Sequence, residues 1–396
     1  MSYMNSELRI GVVGAGIGGL AVACALAQNG AQVSLFEQAS EISEVGAGLQ
    51  ISPNGLCVLR ALGLAAALSQ NACRGQSVSL RRAESDFEVA KLDLTRLPPS
   101  QQYNFVHRAD LIDLLKEAAL NAGVTINLNH KVSAVSPGTP ATMHFKDREA
   151  RQFDLVIDAG GLKSVLRATL NGDAPAFFTK QTAWRAVIPN TEGRVNDVQV
   201  HMAPRRHLVS YPIRNGEFLN LVAVQERDDW NAEGWSHEDD PANLRAVFKG
   251  ADASVLHMLD QVETLHLWGL FRHPVAQKWC AEGCVLLGDA AHPTLPFLAQ
   301  GANMALEDAW ALAMSLHANR PLSDCLAAYQ TKRAPRVTNV IEASNNNAWR
   351  YHLPRGPVRL AAHLVLGLGS RIAPQMMLSQ YDWLYGYDIT SEYTEI

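Results

Sequence analysis

The chain has 396 residues, 47% hydrophobic and 18% charged, a balance that fits a folded globular protein and excludes a disordered one. Its 34 Lys+Arg against 39 Asp+Glu leave a net charge of −5, so no bulk positive field points to nucleic acid. At roughly 150 residues per domain, two or three folding units are expected. The six cysteines (Cys24, Cys57, Cys73, Cys280, Cys284 and Cys325) do not read as a disulfide framework. Cys280 and Cys284 lack the double-pair spacing of a zinc site, so no metal is expected and a reducing cytoplasm fits.

Ile10 to Ala27 carries no charge over 18 residues, near the length of a membrane span. Its glycines instead divide it into a strand, a tight turn and a helix, so no membrane insertion is expected. Leu8 to Val13 is an apolar, β-rich run of the kind that makes a buried parallel strand. Gly14-Ala15-Gly16-Ile17-Gly18-Gly19 then gives G-x-G-x-x-G, a helix follows from Leu20 to Asn29, and a second strand, Gln32 to Phe36, ends at Glu37 and Gln38. In such a unit the first glycine permits the turn, the second lets backbone approach a pyrophosphate, and the third lets helix and strand pack closely. The diphosphate sits on free N–H groups at the helix start, and the acid, here Glu37, accepts ribose hydroxyls. Gly14, Ala15, Gly16, Gly19, Glu37 and Gln38 are therefore expected to bind a dinucleotide, and the motif alone leaves NAD and FAD open.

Further along, Ser77 to Arg82 and Phe87 to Leu92 read as an antiparallel hairpin, and Ala109 to Ala122 as a helix stopped by Gly123. Val124 to Asn129, Thr142 to Phe145 and Phe153 to Ile157 return to strand, and residues 181–269 read as β-rich. Cys284 to Leu287 is another buried strand. It leads into Gly288-Asp289-Ala290-Ala291-His292-Pro293, after which Gly301-Ala302-Asn303 opens a helix running to about Leu316. From Pro321 onward the chain reads as mainly helical. The short apolar stretch Leu360 to Leu368 is read as a packed helix or a dimer contact, so the chain is expected as a monomer or homodimer.

G-D-A-A-H-P followed by P-F-x-x-Q-G-x-N-x-A-x-E-D-A resembles the flavin-binding signature of the single-component FAD-dependent aromatic hydroxylases, the group around p-hydroxybenzoate hydroxylase and the salicylate-hydroxylase-like enzymes. The resemblance continues in Val45 to Asn54 as the loop passing the flavin ring, and in Val106-His107-Arg108-Ala109-Asp110-Leu111 as an arginine motif. It extends through Tyr211 to Arg214 and Asn220 to Val224 as substrate-domain strands, and reaches Trp383 to Asp388 as the C-terminal ending. It implies an α/β fold, α+β overall, in which a Rossmann-like FAD-binding domain (1–75, 95–180 and 270–345) is interleaved with a β-sheet substrate domain (76–94 and 181–269), before a helical C-terminal segment (346–396). It also implies Gly48, Arg108, Asp289, Gly301, Ala302 and Asn303 as further FAD contacts. NADH or NADPH would be a transient reductant with no Rossmann unit of its own. The implied reaction is hydroxylation by O2, through a peroxide at flavin C4a, of a small phenolic or heteroaromatic acid (salicylate-like or hydroxynicotinate-like), decarboxylating in its most concrete form. The alternatives are a same-fold monooxygenase of a larger natural product and a flavin-binding protein without turnover.

Such chemistry needs a proton acceptor beside the ring. His207 and Tyr211 lie four apart in a strand-like run and so share a face; they are the candidate base and orienting or relaying group, with a satisfied sheet histidine and a core tyrosine as the alternative. Gln50, Pro296 and Phe297 are candidate ring contacts along with His207 and Tyr211, and His201 and Met202 are weaker ones. Either Arg185 or Arg205 suits a substrate carboxylate, and His292 is open between pocket and scaffold. One departure from the family stands out. Asp154 to Arg167 aligns with a motif whose core is usually Gly-Ala-Asp-Gly, but Gly160 occupies the aspartate position and Asp158 stands two residues earlier. Asp158 is expected either to replace that carboxylate or merely to cap a turn.

Overall fold

The computed structural model describes residues 8–42, 47–194, 196–230, 237–317 and 320–393, with backbone alone over 346–350. Val45 and Gly46 of the expected flavin loop lie outside the described residues. Strand Arg9–Val13, helix Ile17–Gln28 and strand Gln32–Phe36 form a βαβ unit with the two strands in parallel, Val12 beside Leu35. The sheet built on it has six strands in the order Cys280–Ala281, Cys284–Leu286, Leu155–Asp158, Arg9–Val13, Gln32–Phe36, Thr125–Asn127, parallel except at the Cys280–Ala281 edge. Its strands Arg9–Val13, Leu155–Asp158 and Cys284–Leu286 are largely buried on both faces, which is why they read as continuous apolar runs rather than alternating ones. Helix Ile17–Gln28 is apolar nearly all round because it packs against the helices Arg108–Asn121 and Gly301–His317 as well as the sheet. The third glycine of the motif is obligatory here: a Cβ on Gly19 would stand 2.0 Å from the carbonyl oxygen of Gly14, itself at φ +92°.

The second layer is an eight-stranded sheet ordered His237–Glu238, His266–Arg272, Phe177–Pro189, Phe218–Glu226, Arg206–Ile213, Asp197–Ala203, Ser77–Arg82, Glu88–Asp93. Period-two alternation gives it two apolar faces. Trp184, Leu208 and Leu221 pack under the helices Pro241–Val247 and Ala253–Asp260. The other face carries Ala183, Val224 and Trp268, which meet Leu295 and Phe297, and Val200 and Tyr211, which join the core of the six-stranded layer. The two helices at 241–260 correct the reading of 181–269 as simply β-rich. Their signals were present, since Asp240, ahead of Pro241, and Asp252 cap the first turns by accepting from the N–H groups of Ala242 and Ser254. Phe153 to Ile157 likewise divides into two strands, Arg151–Phe153 and Leu155–Asp158, which belong to different sheets.

The C-terminal third folds as helices, among them Leu322–Tyr351 and Pro357–Ile372. Pro357–Ile372 turns Arg359 and His363 inward, where Arg359 forks onto both oxygens of Glu84 at 2.9 and 3.0 Å, and leaves Val358, Leu364, Val365, Leu368 and Ile372 exposed. Among the described residues no helix is long and apolar enough to cross a membrane.

The helices Gly301–His317 and Leu322–Tyr351 are joined by a buried ionic cluster. Arg333 places Nη1 2.7 Å from Glu307 Oε2 and Nε 2.6 Å from Asp308 Oδ1, and all three side chains are fully buried. Asp308 also takes His292 Nε2 at 2.5 Å and the Gly288 N–H at 3.1 Å, while Arg336 forks onto Glu307 and donates to the carbonyl of Trp383. Burial alone would raise the Asp308 carboxyl, but His292 and Arg333 hold it down at about 2. That value lies below the unfolded one near 3.8, so this contribution to stability is complete above about pH 4 and is lost as the pH falls toward 2. Asp308→Asn is expected to cost about 3–5 kcal/mol at pH 7, because it leaves a buried guanidinium short of one partner. It should also flatten the acid limb of the stability curve between pH 4 and 2; urea titrations across pH check both, and an unchanged acid limb would show that Asp308 does not set it.

Candidate active site

At the carboxyl end of strand Arg9–Val13, Gly16 is the N-cap of helix Ile17–Gln28 and supplies no side-chain cap. The first bond within the helix runs from Leu20 N–H to the Gly16 carbonyl, so the N–H groups of Ile17, Gly18 and Gly19 precede the helical ladder. A Cβ built on Gly16 meets nothing within 4 Å, which leaves the approach to that helix start open. Glu37 closes the cradle from the second strand: its oxygens accept the N–H groups of Ala15 and Ala39, both at 2.9 Å, and retain lone pairs for ribose hydroxyls. Gln38 beside it is exposed. These features fit a diphosphate and its ribose.

The second half of the cradle comes from the strand Cys284–Leu286. Asp289 lies on a 3₁₀ turn, Gly288–Ala290, and keeps solvent contact while being surrounded by protein on most sides. That enclosure raises its carboxyl, against the pull of His292 and Arg108 nearby, so two of the expected cofactor residues, Asp289 and Arg108, do come together. Helix Gly301–His317 starts beside them, with its first internal bond from Met304 N–H to the Gln300 carbonyl. The N–H groups of Gly301, Ala302 and Asn303 are thus the ones left for a ligand, and the partial positive charge of the helix start suits an electron-rich cofactor edge. The side chain of Asn303 is spent elsewhere: Oδ1 accepts the Ser52 N–H, and Nδ2 donates to the Gln50 and Ala299 carbonyls. Gly48 gives its N–H to Asn220 Oδ1 at 2.6 Å, and a Cβ there would stand 2.7 Å from Tyr211, so it serves close approach of its strand to the large sheet.

On the large sheet His207 and Tyr211 share the face turned toward Gly48 and Phe297. Four residues of strand separate them by about 13 Å, so Tyr211 does not hand a proton directly to His207. At one end, the Tyr103 hydroxyl donates to Gln50 Oε1 at 2.9 Å, and the Gln50 side chain also bonds the Tyr211 hydroxyl. At the other, His207 is buried with its ring 6.2 Å from Phe297 and 5.2 Å from Tyr351, next to the short turn Pro296–Leu298. Burial lowers the His207 imidazole well below its ordinary value, so it is neutral at pH 7. Arg185 pairs across the strands with Val222, stacks 4.6 Å over Trp268, and lies close enough to Tyr211 to pull against the burial that raises that phenol. Arg205 is mostly exposed, at a positive φ, and ion-paired to Glu226, so of the two arginines only Arg185 faces inward. His201 points to the other side of the sheet, onto Asp86 at 3.0 Å, and Met202 lies beside His207. His292 is scaffold: it holds Asp308 and stacks on Trp279.

The departure at Asp158 has a plain structural outcome. Its carboxylate is fully buried and accepts from Gly160 N–H at 2.8 Å, Ser164 Oγ at 2.8 Å and Leu166 N–H at 2.9 Å. It caps the helix Val165–Asn171 and does not replace a cofactor carboxylate. The strand ends at Asp158, and Gly160 lies in the turn beyond it.

Sequence reasoning missed the residues that brace the site. Asn54 links Gln300 to Glu307, and Arg167 donates to the carbonyls of Ala290 and Ala291 at 2.8 and 2.9 Å. Glu307 and Asp308 stood within the quoted signature as its E-D pair; their partners Arg333 and Arg336 carried no local signal. An open depression of about 760 Å³, lined by residues such as Trp184, Trp230 and Asn243, lies on the helix-covered side of the large sheet and includes none of the expected site residues.

Fold and site together define a dinucleotide-binding α/β protein with a second sheet turned toward the cofactor cradle. A family model described as FAD binding domain matches residues 7–344. The chain is 33% identical over 393 residues to 3-amino-4-hydroxybenzoate 2-monooxygenase PtmB3 of Streptomyces platensis, covering 97% of each, and 30% identical over 397 residues to 3-hydroxybenzoate 6-hydroxylase of Klebsiella oxytoca, covering 97% of this chain and 98% of that one. A salicylate hydroxylase solved as a substrate complex superposes with a TM-score of 0.81 at 24% identity, over 98% of this chain and 97% of the other, and shares the fold. The chain belongs to this FAD-binding family and is a flavin-dependent aromatic monooxygenase.

Asp289→Ala is expected to weaken FAD binding about 10-fold or more, the loss of one charged hydrogen bond of roughly 1.5–3 kcal/mol; fluorescence titration of the apoprotein with FAD measures it, and unchanged affinity would remove Asp289 from the cradle. Gly160→Asp, the family's usual residue, should destabilise this chain, because its Cβ would stand 2.9 Å from Asp158 Oδ1 and add a second carboxylate there. A melting temperature equal to wild type would show that the turn accommodates both.

Proposed function

We propose that this monooxygenase hydroxylates one small phenolic or heteroaromatic acid, held between His207 and Tyr211 on the inward face of the large sheet. The observation that carries the reading is their separation of about 13 Å along the strand, close to the span of a ring acid whose hydroxyl and carboxylate stand across the ring from each other, with a hydrogen bond at each end. FAD supplies the oxygen chemistry, with NADH or NADPH as electron source and O2 as co-substrate. The protein's part is placement and proton handling. His207, neutral and buried, takes the proton of the ring hydroxyl. Tyr211, with Gln50 donating to its oxygen, turns its own O–H toward the carboxylate. Arg185 offers a planar fork whose face is fixed on Trp268, a geometry suited to a carboxylate. Phe297 and Pro296 wall the ring and exclude water. On this reading residues 76–94 and 181–269 form the substrate part and the flanking segments the FAD part. The cysteines, all free thiols, support a cytoplasmic site of action.

The test is a panel of salicylate, 3-hydroxybenzoate and 6-hydroxynicotinate with the FAD-loaded enzyme, following NADH and NADPH oxidation and product mass. One member is expected to accelerate oxidation and take up one oxygen atom, with or without loss of carbon dioxide; flavin spectral shifts without turnover for every member would overturn the reading. With that substrate, His207→Ala should lower hydroxylation by about 100-fold or more while flavin reduction in stopped flow stays within about twofold. Arg185→Lys should raise KM far more than it lowers kcat, since a point charge replaces the fork. Equal hydroxylation by His207→Ala and wild type would remove it as the base.

A further inference from the structure

His207 is the inner end of a hydrogen-bonded chain. Its Nδ1 lies 2.7 Å from Nε2 of His352, and His352 Nδ1 lies 2.8 Å from Oε1 of Glu226. His352 directly follows the helix Leu322–Tyr351, and Glu226 is the last residue of the strand Phe218–Glu226. Both rings are buried, whereas the Glu226 side chain is about a third exposed, 32%, and its other oxygen takes Arg205 Nε at 3.2 Å. The chain therefore runs from the inward sheet face to solvent.

Its chemistry follows from counting protons. An ionised Glu226 can only accept, so His352 carries its hydrogen on Nδ1 and presents a bare Nε2. That bare nitrogen must accept from His207, so His207 carries its hydrogen on Nδ1 and its own Nε2 is left with a lone pair. A surface carboxylate thus fixes which nitrogen of a buried ring is basic, two residues away. The same chain has a second state in which Glu226 is protonated and both rings carry hydrogen on Nε2; it is reached when His207 Nε2 gains one proton and each proton of the chain moves one place outward.

We propose that Glu226 and His352 are positioning residues that set the His207 tautomer and carry its proton between the substrate and solvent. The relay function rests on the reading of His207 as the base; the tautomer lock does not. In the outward step the substrate O–H bond breaks and its proton bonds to His207 Nε2. The His207 Nδ1–H proton passes to His352 Nε2, the His352 Nδ1–H proton to Glu226 Oε1, and from there to water. When the product hydroxyl re-forms the transfers run backward, and both rings regain their starting tautomers. Burial lowers both imidazoles, so neither ring retains the charge. Among the described residues, the other charged or titratable groups facing the chain are Arg205 on Glu226, with Asp228 behind it, and Tyr351 against His207.

The experiment is 15N NMR of the FAD-loaded, histidine-labelled enzyme, assigned with His207→Ala and His352→Phe, beside hydroxylation kinetics with whichever of salicylate, 3-hydroxybenzoate and 6-hydroxynicotinate is turned over. In wild type His207 is expected as the Nδ1–H tautomer. In Glu226→Leu the Nε2–H form should become comparably populated. Glu226→Gln still accepts from His352, so it should keep the wild-type tautomer while slowing hydroxylation about 10-fold or more, with KM and flavin reduction unchanged. A merely structural Glu226 would not separate the two variants in this way. The lock is overturned if His207 stays Nδ1–H in Glu226→Leu. The relay is overturned if Glu226→Gln hydroxylates at the wild-type rate while His207→Ala is impaired. A wild-type rate in His207→Ala itself would instead end the base assignment, and the relay with it.

Discussion

The arrangement depends on one fully buried guanidinium. Arg333 sits between Glu307 and Asp308 with no solvent contact, and burying three charges costs several kcal/mol per ion unless each finds partners. The partners come from different parts of the chain. Asp308 holds the Gly288 N–H and His292, which fixes the turn bearing Asp289; Glu307 holds Asn54, which fixes the corner after Gln50; and Arg336 carries the C-terminal turn through Trp383 and Leu384. A hydrophobic core of the same volume could supply comparable stability. It would not tie two cofactor loops and a helix start to one rigid point, and directional bonds with a fixed set of acceptors do that.

Backbone requirements were legible in the sequence, and partnerships at long range were not. Glycines that must approach another backbone closely, such as Gly14 and Gly19, announce themselves because few other residues fit. The shared face of His207 and Tyr211 followed from the period of a strand, but their distance was overlooked, although the same geometry fixes it at about 13 Å and keeps them from touching each other. Choosing Arg185 over Arg205 needed the strand ends: Arg205 sits in the turn between Asp197–Ala203 and Arg206–Ile213, where side chains point to solvent. His352 carried no signal, since it meets His207 only through the path of the chain after a 30-residue helix. Arg333 reads like any arginine of an amphipathic helix until its partners are known.

Two aspartates in the same layer show how local geometry, more than residue type, assigns a role. Asp158 ends one of two adjacent parallel strands and Asp289 follows the other, and the protein around each raises its carboxyl. Asp158 recovers that cost from three donors within one turn of chain, so it is a helix cap with nothing left to offer outward. Asp289 has solvent contact and the opposing charge of Arg108, the state of an acid prepared for an incoming donor such as a sugar hydroxyl. With Asp158 turned inward and glycine at 160, the loop beside the first helix presents no carboxylate to a diphosphate. The N–H groups and the dipole of that helix start favour a diphosphate. Glu37 and Asp289, by contrast, keep lone pairs open to a ligand's hydroxyls.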